Sequence, residues 1–172
     1  MKCINKLIDD QYENTGITHT RKIARAVLIN DNNEVCLLKI LGDDDFGHRD
    51  YVETPGGGVN ENEDLKEAVV REIKEETGCD ATVIDEIGYV DDYYNLIHRH
   101  NITYYYLLKV NGYGTSALEE QEKSIIKGLV WLDFNKAIKA YENMNKEKLE
   151  ILVSRRELPI IKKAYEMLFG GN

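Results

Sequence analysis

The chain has 172 residues and a formal net charge of −9, with 42% of residues hydrophobic and 31% charged. That mixture excludes a disordered or fibrous chain, and the acidic balance argues against a nonspecific grip on DNA, RNA or an anionic membrane, each of which calls for a basic surface. The length suits one domain, residues 1–172, with enough chain to bury a core. The N-terminus, MKCINKLIDDQ, lacks the continuous apolar core of a secretory signal, and no run reaches the roughly 18 apolar residues of a membrane span. A cytoplasmic protein with no membrane partner is expected. Cys3, Cys36 and Cys79 are scattered and form no CxxC pair, so they read as reduced thiols rather than a disulfide framework or a zinc site.

In chain order, IARAVLIN (23–30) and EVCLLKI (34–40) are β-rich runs separated by the turn-prone DNN, a hairpin signature. LGDDDFGHRD (41–50) reads as a polar loop, and YVET (51–54) as a short strand entering the glycine turn. Beyond that turn the periodicity becomes helical. Asp64 followed by Glu67 resembles a capping box that starts a helix near Leu65, and Gly78 supplies a left-handed stop. ATVIDEIGYV (81–90) and ITYYYLLKV (102–110) read as strands joined by a polar YYNLIHRHN connection. LEEQEKS (118–124) reads as a loop, KGLVWLDF (127–134) as a strand and NKAIKAYENM as a helix. LPIIKKAYEMLF (158–169) is amphipathic and closed by Gly170 and Gly171. Its start lies either at a Ser154 cap with Glu157 or at Pro159 in the first helical turn, and the C-terminal helical segment spans about residues 135–169. Strands and helices mix without strict βαβ alternation, which predicts an α/β protein of the α+β type, a mixed β-sheet sandwiched between α-helices.

The helix after the glycine turn carries the chemistry. At ~100° per residue, Leu65, Ala68, Val69 and Ile73 form one apolar arc. Glu72 and Glu76 fall inside that arc, with Glu75 on its edge. Like charges at i, i+4 repel, and acids near a helix C-terminus oppose the macrodipole, so every local term is unfavourable. A bound divalent cation reverses all of them, because Mg²⁺ and Mn²⁺ prefer clustered oxygen donors. A solvated acidic face is the ordinary meaning of such a run; the position within the apolar arc is what favours metal. In PGGGVNENE the three glycines let backbone approach a ligand, and Asn62 suits a left-handed backbone.

Gly57, five residues, Glu63, seven residues, then Arg71-Glu72-Ile73-Lys74-Glu75-Glu76-Thr77-Gly78-Cys79 resembles the box of the Nudix hydrolase (MutT-like) family, G-x5-E-x7-R-E-U-x-E-E-x-G-U with U apolar, over residues 57–79. Asn62 replaces the commoner glycine and Cys79 is a small final apolar residue. With the flanking strands and GLVWLDFNKAIK, the resemblance extends over about residues 20–142. It implies the Nudix fold and a pyrophosphohydrolase that splits a nucleoside diphosphate linked to a moiety X into a nucleoside monophosphate and phosphoryl-X, using Mg²⁺ or Mn²⁺. It implies that Glu72, Glu75, Glu76 and the Gly56 carbonyl hold the metal. Arg71 would pair with a box carboxylate, Glu63 first, the plainer alternative being an i, i+4 pair with Glu67 or Glu75. The general base is either a box glutamate or a carboxylate before the last strand, where Glu119, Glu120 and Glu122 are candidates and also read as solvated loop charges.

Substrate choice lies outside the box. Members of the family that cleave ADP-ribose commonly carry a proline soon after it, and no proline lies between Pro55 and Pro159 here, which counts against ADP-ribose. Tyr93 and Tyr94 stand about where some dinucleoside-polyphosphate hydrolases have a tyrosine. Tyrosines of ITYYYLLKV alternate between two faces, so core packing is expected for at least one face. His98, Arg99 and His100 form a basic cluster able to meet phosphate or an anionic X group, a surface loop with no ligand being the equal alternative, and Arg25, Lys39 and Arg49 are further cations. Arg25, Tyr94 and Arg99 are the candidate substrate-binding residues. A small-molecule nucleotide is the expected partner, without stable nucleic-acid binding; dimers are common among relatives, so a homodimer is a further expectation. The competing reading is a non-catalytic nucleotide-sensing domain, which would normally have lost one of the glutamates. An isoprenoid-diphosphate isomerase would need further catalytic residues, and an mRNA-decapping enzyme would need a basic RNA path.

Overall fold

The computed structural model describes residues 1–45, 47–144 and 146–170. The elements run β1 (Cys3–Leu7), β2 (His19–Ile29), β3 (Val35–Asp44), β4 (Gly47–Glu53), β5 (Gly56–Gly58), α1 (Leu65–Thr77), β6 (Asp80–Tyr94), β7 (Arg99–Gly112), α2 (Glu120–Ile125), β8 (Ile126–Leu132), α3 (Phe134–Glu142) and α4 (Lys148–Phe169). The sheet order is β1-β6-β7-β2-β3-β4, with β5 added to β2 and β8 to β3. β1 with β6 and β2 with β7 are parallel, whereas β6 with β7 and β3 with β4 are antiparallel. The sheet is therefore mixed.

Period-two alternation divides its side chains between two buried layers. Ala24, Ala26 and Leu28 of β2, with Tyr106, Leu108 and Val110 of β7, pack under Ala68, Val69 and Ile73 of α1. Val27 and Ile29 of β2, with Tyr105 and Leu107 of β7, face the opposite side and pack with Leu152, Val153, Ile160 and Ile161 of α4. Helices thus cover both faces, and one layer holds each end of the tyrosine run. Among the described residues no helix is long and apolar enough to cross a membrane.

Four segments depart from the sequence reading. Residues 41–50 are not a loop: β3 and β4 form a hairpin with Gly42 opposite Arg49 and Asp44 opposite Gly47, Phe46 lying outside the described residues. Charge is tolerated there because β4 is an edge strand, and Asp44 and Arg49 pair across it. Residues 118–124 contain the short helix α2, which buries none of its residues and is held by a reciprocal cap between Glu119 and Glu122. The N-terminal segment, for which no element was expected, supplies β1. Finally, α4 begins ten residues before Leu158 and carries Pro159 inside it. A proline removes one N–H and frees the carbonyl four residues back. That carbonyl, Arg155 O, accepts a bond from Asn5 Nδ2 on β1 at 2.9 Å. Ser154 caps nothing and instead donates to Tyr141 O at 2.7 Å. Gly171 lies outside the described residues.

Candidate active site

The helix that carries the carboxylates is defined locally at both ends. Asp64 is its N-cap and accepts from Lys66 N at 2.8 Å. Gly78 has φ +75°, and its N–H donates to Lys74 O at 3.0 Å, a backbone that a side chain would strain. Asn62 takes a left-handed backbone at φ +63° just before Glu63.

Glu72 and Glu76 share the buried side of α1 with Ala68, Val69 and Ile73 and are only 6% and 7% exposed. Glu76 Oε2 accepts the Gly56 N–H at 2.6 Å. Burial pushes the Glu76 carboxyl well above its usual range, against the opposing pull of Arg25 and the Gly56 amide. Burial also raises Glu72, with Arg71 opposing. Both carboxylates are thus kept in surroundings that disfavour their charge.

Arg71 organises the turn around them. Its Nε and Nη2 meet the two oxygens of Glu63 at 2.7 and 2.9 Å. Nη2 also donates to Gly58 O at 3.0 Å, and Nη1 reaches Glu72 at 2.7 Å and Glu75 at 3.1 Å. The fork grips Glu63 and the i, i+4 pair with Glu75 is present as well. Arg71 and the Asn60 N–H hold the Glu63 carboxyl down at about 2. Gly57 completes the arrangement, since a Cβ there would lie 2.5 Å from Glu72 Oε2.

A third acid arrives from α2. Oxygens of Glu72, Glu76 and Glu122 lie within 4.8 Å of one another. They stand on the acidic side of a cleft of about 480 Å³, which Gly56, Glu75 and Glu119 also line. Glu75 is more open, its side chain 41% exposed. Glu120 lies apart, 90% exposed and paired with Lys123 at 2.7 Å. The same cleft is lined by Arg21, Arg25, Arg49 and Arg99, Arg25 standing opposite Gly56 in the β2–β5 pairing. Three carboxylates whose oxygens converge offer the clustered oxygen donors that suit a hard divalent ion, although Arg71 and Arg25 stand beside Glu72 and Glu76.

Alternation along β7 splits the basic HRH cluster. Arg99 lines the cleft; His100 pairs with Asp91, and His98 bonds Gly16 O at 3.0 Å. Tyr93 stacks on His100 with ring centroids 4.4 Å apart. Lys39 lies on a separate surface depression. Tyr94 is buried and accepts from Arg156 Nη1 at 2.8 Å.

The sequence reading missed the ionic network behind the cleft. Glu53 pairs with Arg25 at 2.8 Å and with Arg156. Glu157, fully buried, accepts from Arg156 Nε at 2.9 Å, Tyr105 OH at 2.6 Å, Thr54 N at 3.1 Å and Tyr141 OH at 3.3 Å. A signal for it existed. Arg156 stands four residues from Leu152 and Ile160, and Glu157 four from Val153 and Ile161, so both interrupt an apolar stripe as Glu72 and Glu76 do. Burial acts to raise Glu53, but Arg25, Arg156 and Arg49 outweigh it and hold the carboxyl at about 2 against an ordinary 4.5. A depressed carboxylate stabilises the fold above its unfolded pKa and loses that contribution as pH falls through the folded one. Urea unfolding of the parent and Glu53→Gln should therefore differ most above pH 4.5 and converge as the pH falls toward 2; a gap that stays constant across that window would contradict the assignment.

A mixed sheet between helices, with a carboxylate helix leaving a glycine turn, is the architecture of hydrolases acting on phosphorus-containing anhydrides. The chain belongs to the Nudix family: the NUDIX domain family model matches residues 19–153. Among solved structures it is similar to the E. coli ORF135 protein, at 17% identity over 89% of this chain and 94% of that one, with a TM-score of 0.60. A NUDIX hydrolase from Nitrosomonas europaea is 15% identical over 87% and 90% of the two chains, with a TM-score of 0.65. The MutT protein from Methanosarcina mazei Go1 is 21% identical over 84% and 96%, with a TM-score of 0.56. These likenesses are of fold. No curated protein sequence matches the chain.

Proposed function

We propose that the protein is a metal-dependent pyrophosphohydrolase that cleaves a nucleoside diphosphate linked to X into a nucleoside monophosphate and phosphoryl-X. The observation that carries the reading is the convergence of Glu72, Glu76 and Glu122 within 4.8 Å, in a cleft that four arginines also line. Acids so close together, two of them buried, are unfavourable alone and favourable around a cation, so the donor set fits Mg²⁺ or Mn²⁺. Glu72 and Glu76 would hold the ion, with Glu75 and the Gly56 carbonyl at the rim. Bound there, a divalent ion would neutralise diphosphate charge and lower the pKa of a bound water.

The remaining roles belong to the chain itself. Arg21, Arg25, Arg49 and Arg99 line the cleft and oppose the phosphate charge. Arg71 is a positioning residue that holds Glu72 and Glu63 in register. Glu122 enters from outside α1, and we assign it as the proton acceptor for the attacking water; Glu119 also lines the cleft, and the exposure of Glu120 beside Lys123 supports choosing Glu122 over it. The net charge of −9 supports a small nucleotide rather than a nucleic acid as substrate. The contacts of Glu157 with β4, β7 and α3 support treating the chain as one unit.

Gly57→Ala should push Glu72 from its position and lower turnover by on the order of 10²-fold, the scale of a misplacement of about 1 Å, while circular dichroism of the variant stays that of the parent. The reading as a whole is tested by incubating the protein with a panel of nucleoside diphosphate derivatives plus Mg²⁺ or Mn²⁺ and identifying the products. A nucleoside monophosphate together with phosphoryl-X supports it. Absence of any product across the panel would favour a ligand-sensing domain instead.

A further inference from the structure

Beside the outer cleft lies a second, smaller cavity of about 130 Å³, lined in part by Arg25, Arg49, Arg99, Arg156, Glu53 and Asn101. It shares Arg25, Arg49, Arg99 and Glu53 with the cleft, so the two adjoin. A void of that order holds a ring the size of benzene and little more. A purine with its sugar is excluded by size, and an uncharged ring by the guanidinium walls.

The polar groups describe what fits. Among the described residues Glu53 is the one acid in the wall, and it is shared by Arg25 and Arg156. Glu157 and Asp44 pair with Arg156 and Arg49 from outside it, and Asp92 sits behind Thr103 and Asn101. Burial raises the Asp92 carboxyl toward its neutral form, and burial together with the charge of Arg21 lowers Arg99, as expected where cations are crowded. Arg25 Nε is a buried donor without a partner among the described residues. Asn101, only 3% exposed, gives its Nδ2 to Asp92 at 3.5 Å and leaves its buried Oδ1 without a donor. The complementary group accepts several hydrogen bonds, carries negative charge and donates one bond back. A phosphoryl monoester does this: its oxygens match guanidinium forks, and its singly protonated form, populated near its pKa of ~6, carries one P–OH.

We propose that this inner cavity is a phosphate subsite that receives a terminal phosphoryl group on X, so that the substrate class is a nucleoside diphosphate linked to a phosphorylated moiety. The inference rests on the pyrophosphohydrolase reading for its position in the reaction, but the subsite itself is a matter of binding. Two measurements separate the readings. First, calorimetry with inorganic phosphate, free of divalent ions, on the Glu76→Gln protein should give saturable binding that weakens at least tenfold in Asn101→Asp and in Arg99→Gln, each checked for a parent-like thermal melt. Acetate at equal concentration should not compete. Second, among substrates matched in all but a terminal phosphate on X, the phosphorylated member should show a KM at least tenfold lower, and Arg99→Gln should erase that preference. Phosphate binding unaffected by both substitutions, or displaced by acetate, overturns the subsite, the cavity then being a water-filled pocket or a carboxylate site. Phosphate binding that behaves as stated, with no turnover on any substrate, leaves the subsite standing and removes the pyrophosphohydrolase reading.

Discussion

Glu76→Gln is expected to abolish turnover, lowering kcat by on the order of 10³-fold, the scale found when a preorganised charge-stabilising group is removed, while the fold stays intact. Glutamine has the size of glutamate and can still accept the Gly56 N–H that Glu76 Oε2 accepts at 2.6 Å, so the turn keeps its tie to α1. What it loses is the charge. In metal-free protein that charge is buried at 7% exposure beside Glu72, where it costs stability unless a cation compensates it. The metal-free variant should therefore melt at the parent's temperature or above it. The parent should gain stability on adding Mg²⁺ by mass action, and the variant should gain far less. Near-normal metal-dependent activity in Glu76→Gln would show that this carboxylate does not serve the ion.

The largest effect on stability is expected at Glu157. Its two oxygens join α4 to Thr54 N just after β4, to Tyr105 of β7 and to Tyr141 of α3, and they neutralise Arg156. Glu157→Ala leaves a buried guanidinium with Glu53 as its remaining carboxylate partner and strips three other donors of their acceptor. Breaking a buried ion pair costs about 3–5 kcal/mol, out of a total stability of roughly 5–15 kcal/mol for a domain. A fall in Tm of about 10 °C or more should follow, with Glu157→Gln losing less because it retains one acceptor oxygen. A melt within a few degrees of the parent would mean that water satisfies these groups and that the network contributes little.

How much of this was legible follows from the distance over which each feature is decided. The limits of α1 were readable because the Asp64 cap and the left-handed Gly78 act within a turn of the residues they serve. Its buried carboxylates were readable because acids in an apolar stripe are a conflict visible on one helical wheel. The same conflict at Arg156 and Glu157 stayed unread because both candidate starts, the Ser154 cap and Pro159, lie beyond Leu152 and Val153, the first residues of the stripe that they interrupt. An amide from β1 satisfies the carbonyl that the proline frees, and no local pattern announces a partner some 150 residues away in the chain. α2 has six residues and none buried, so it offers no periodicity. The hairpin of β3 and β4 is polar because it lies at a sheet edge, where pairing rather than burial forms the strand.

Glu119, Glu120 and Glu122 mark the division most sharply. Composition made them equal, yet only the fold of α2 against the sheet turns Glu122 toward Glu72 and Glu76 and leaves Glu120 facing solvent. Spacing along one helix therefore identified the carboxylate centre and, through its resemblance, the reaction class, because a helix converts separation in sequence directly into direction in space. The arginine wall, the small cavity behind it and the choice among acids depend on strands and a helix far apart in the chain. Their meeting is decided by burial of the two apolar layers, which rewards the assembled sheet as a whole and leaves no mark on any single segment.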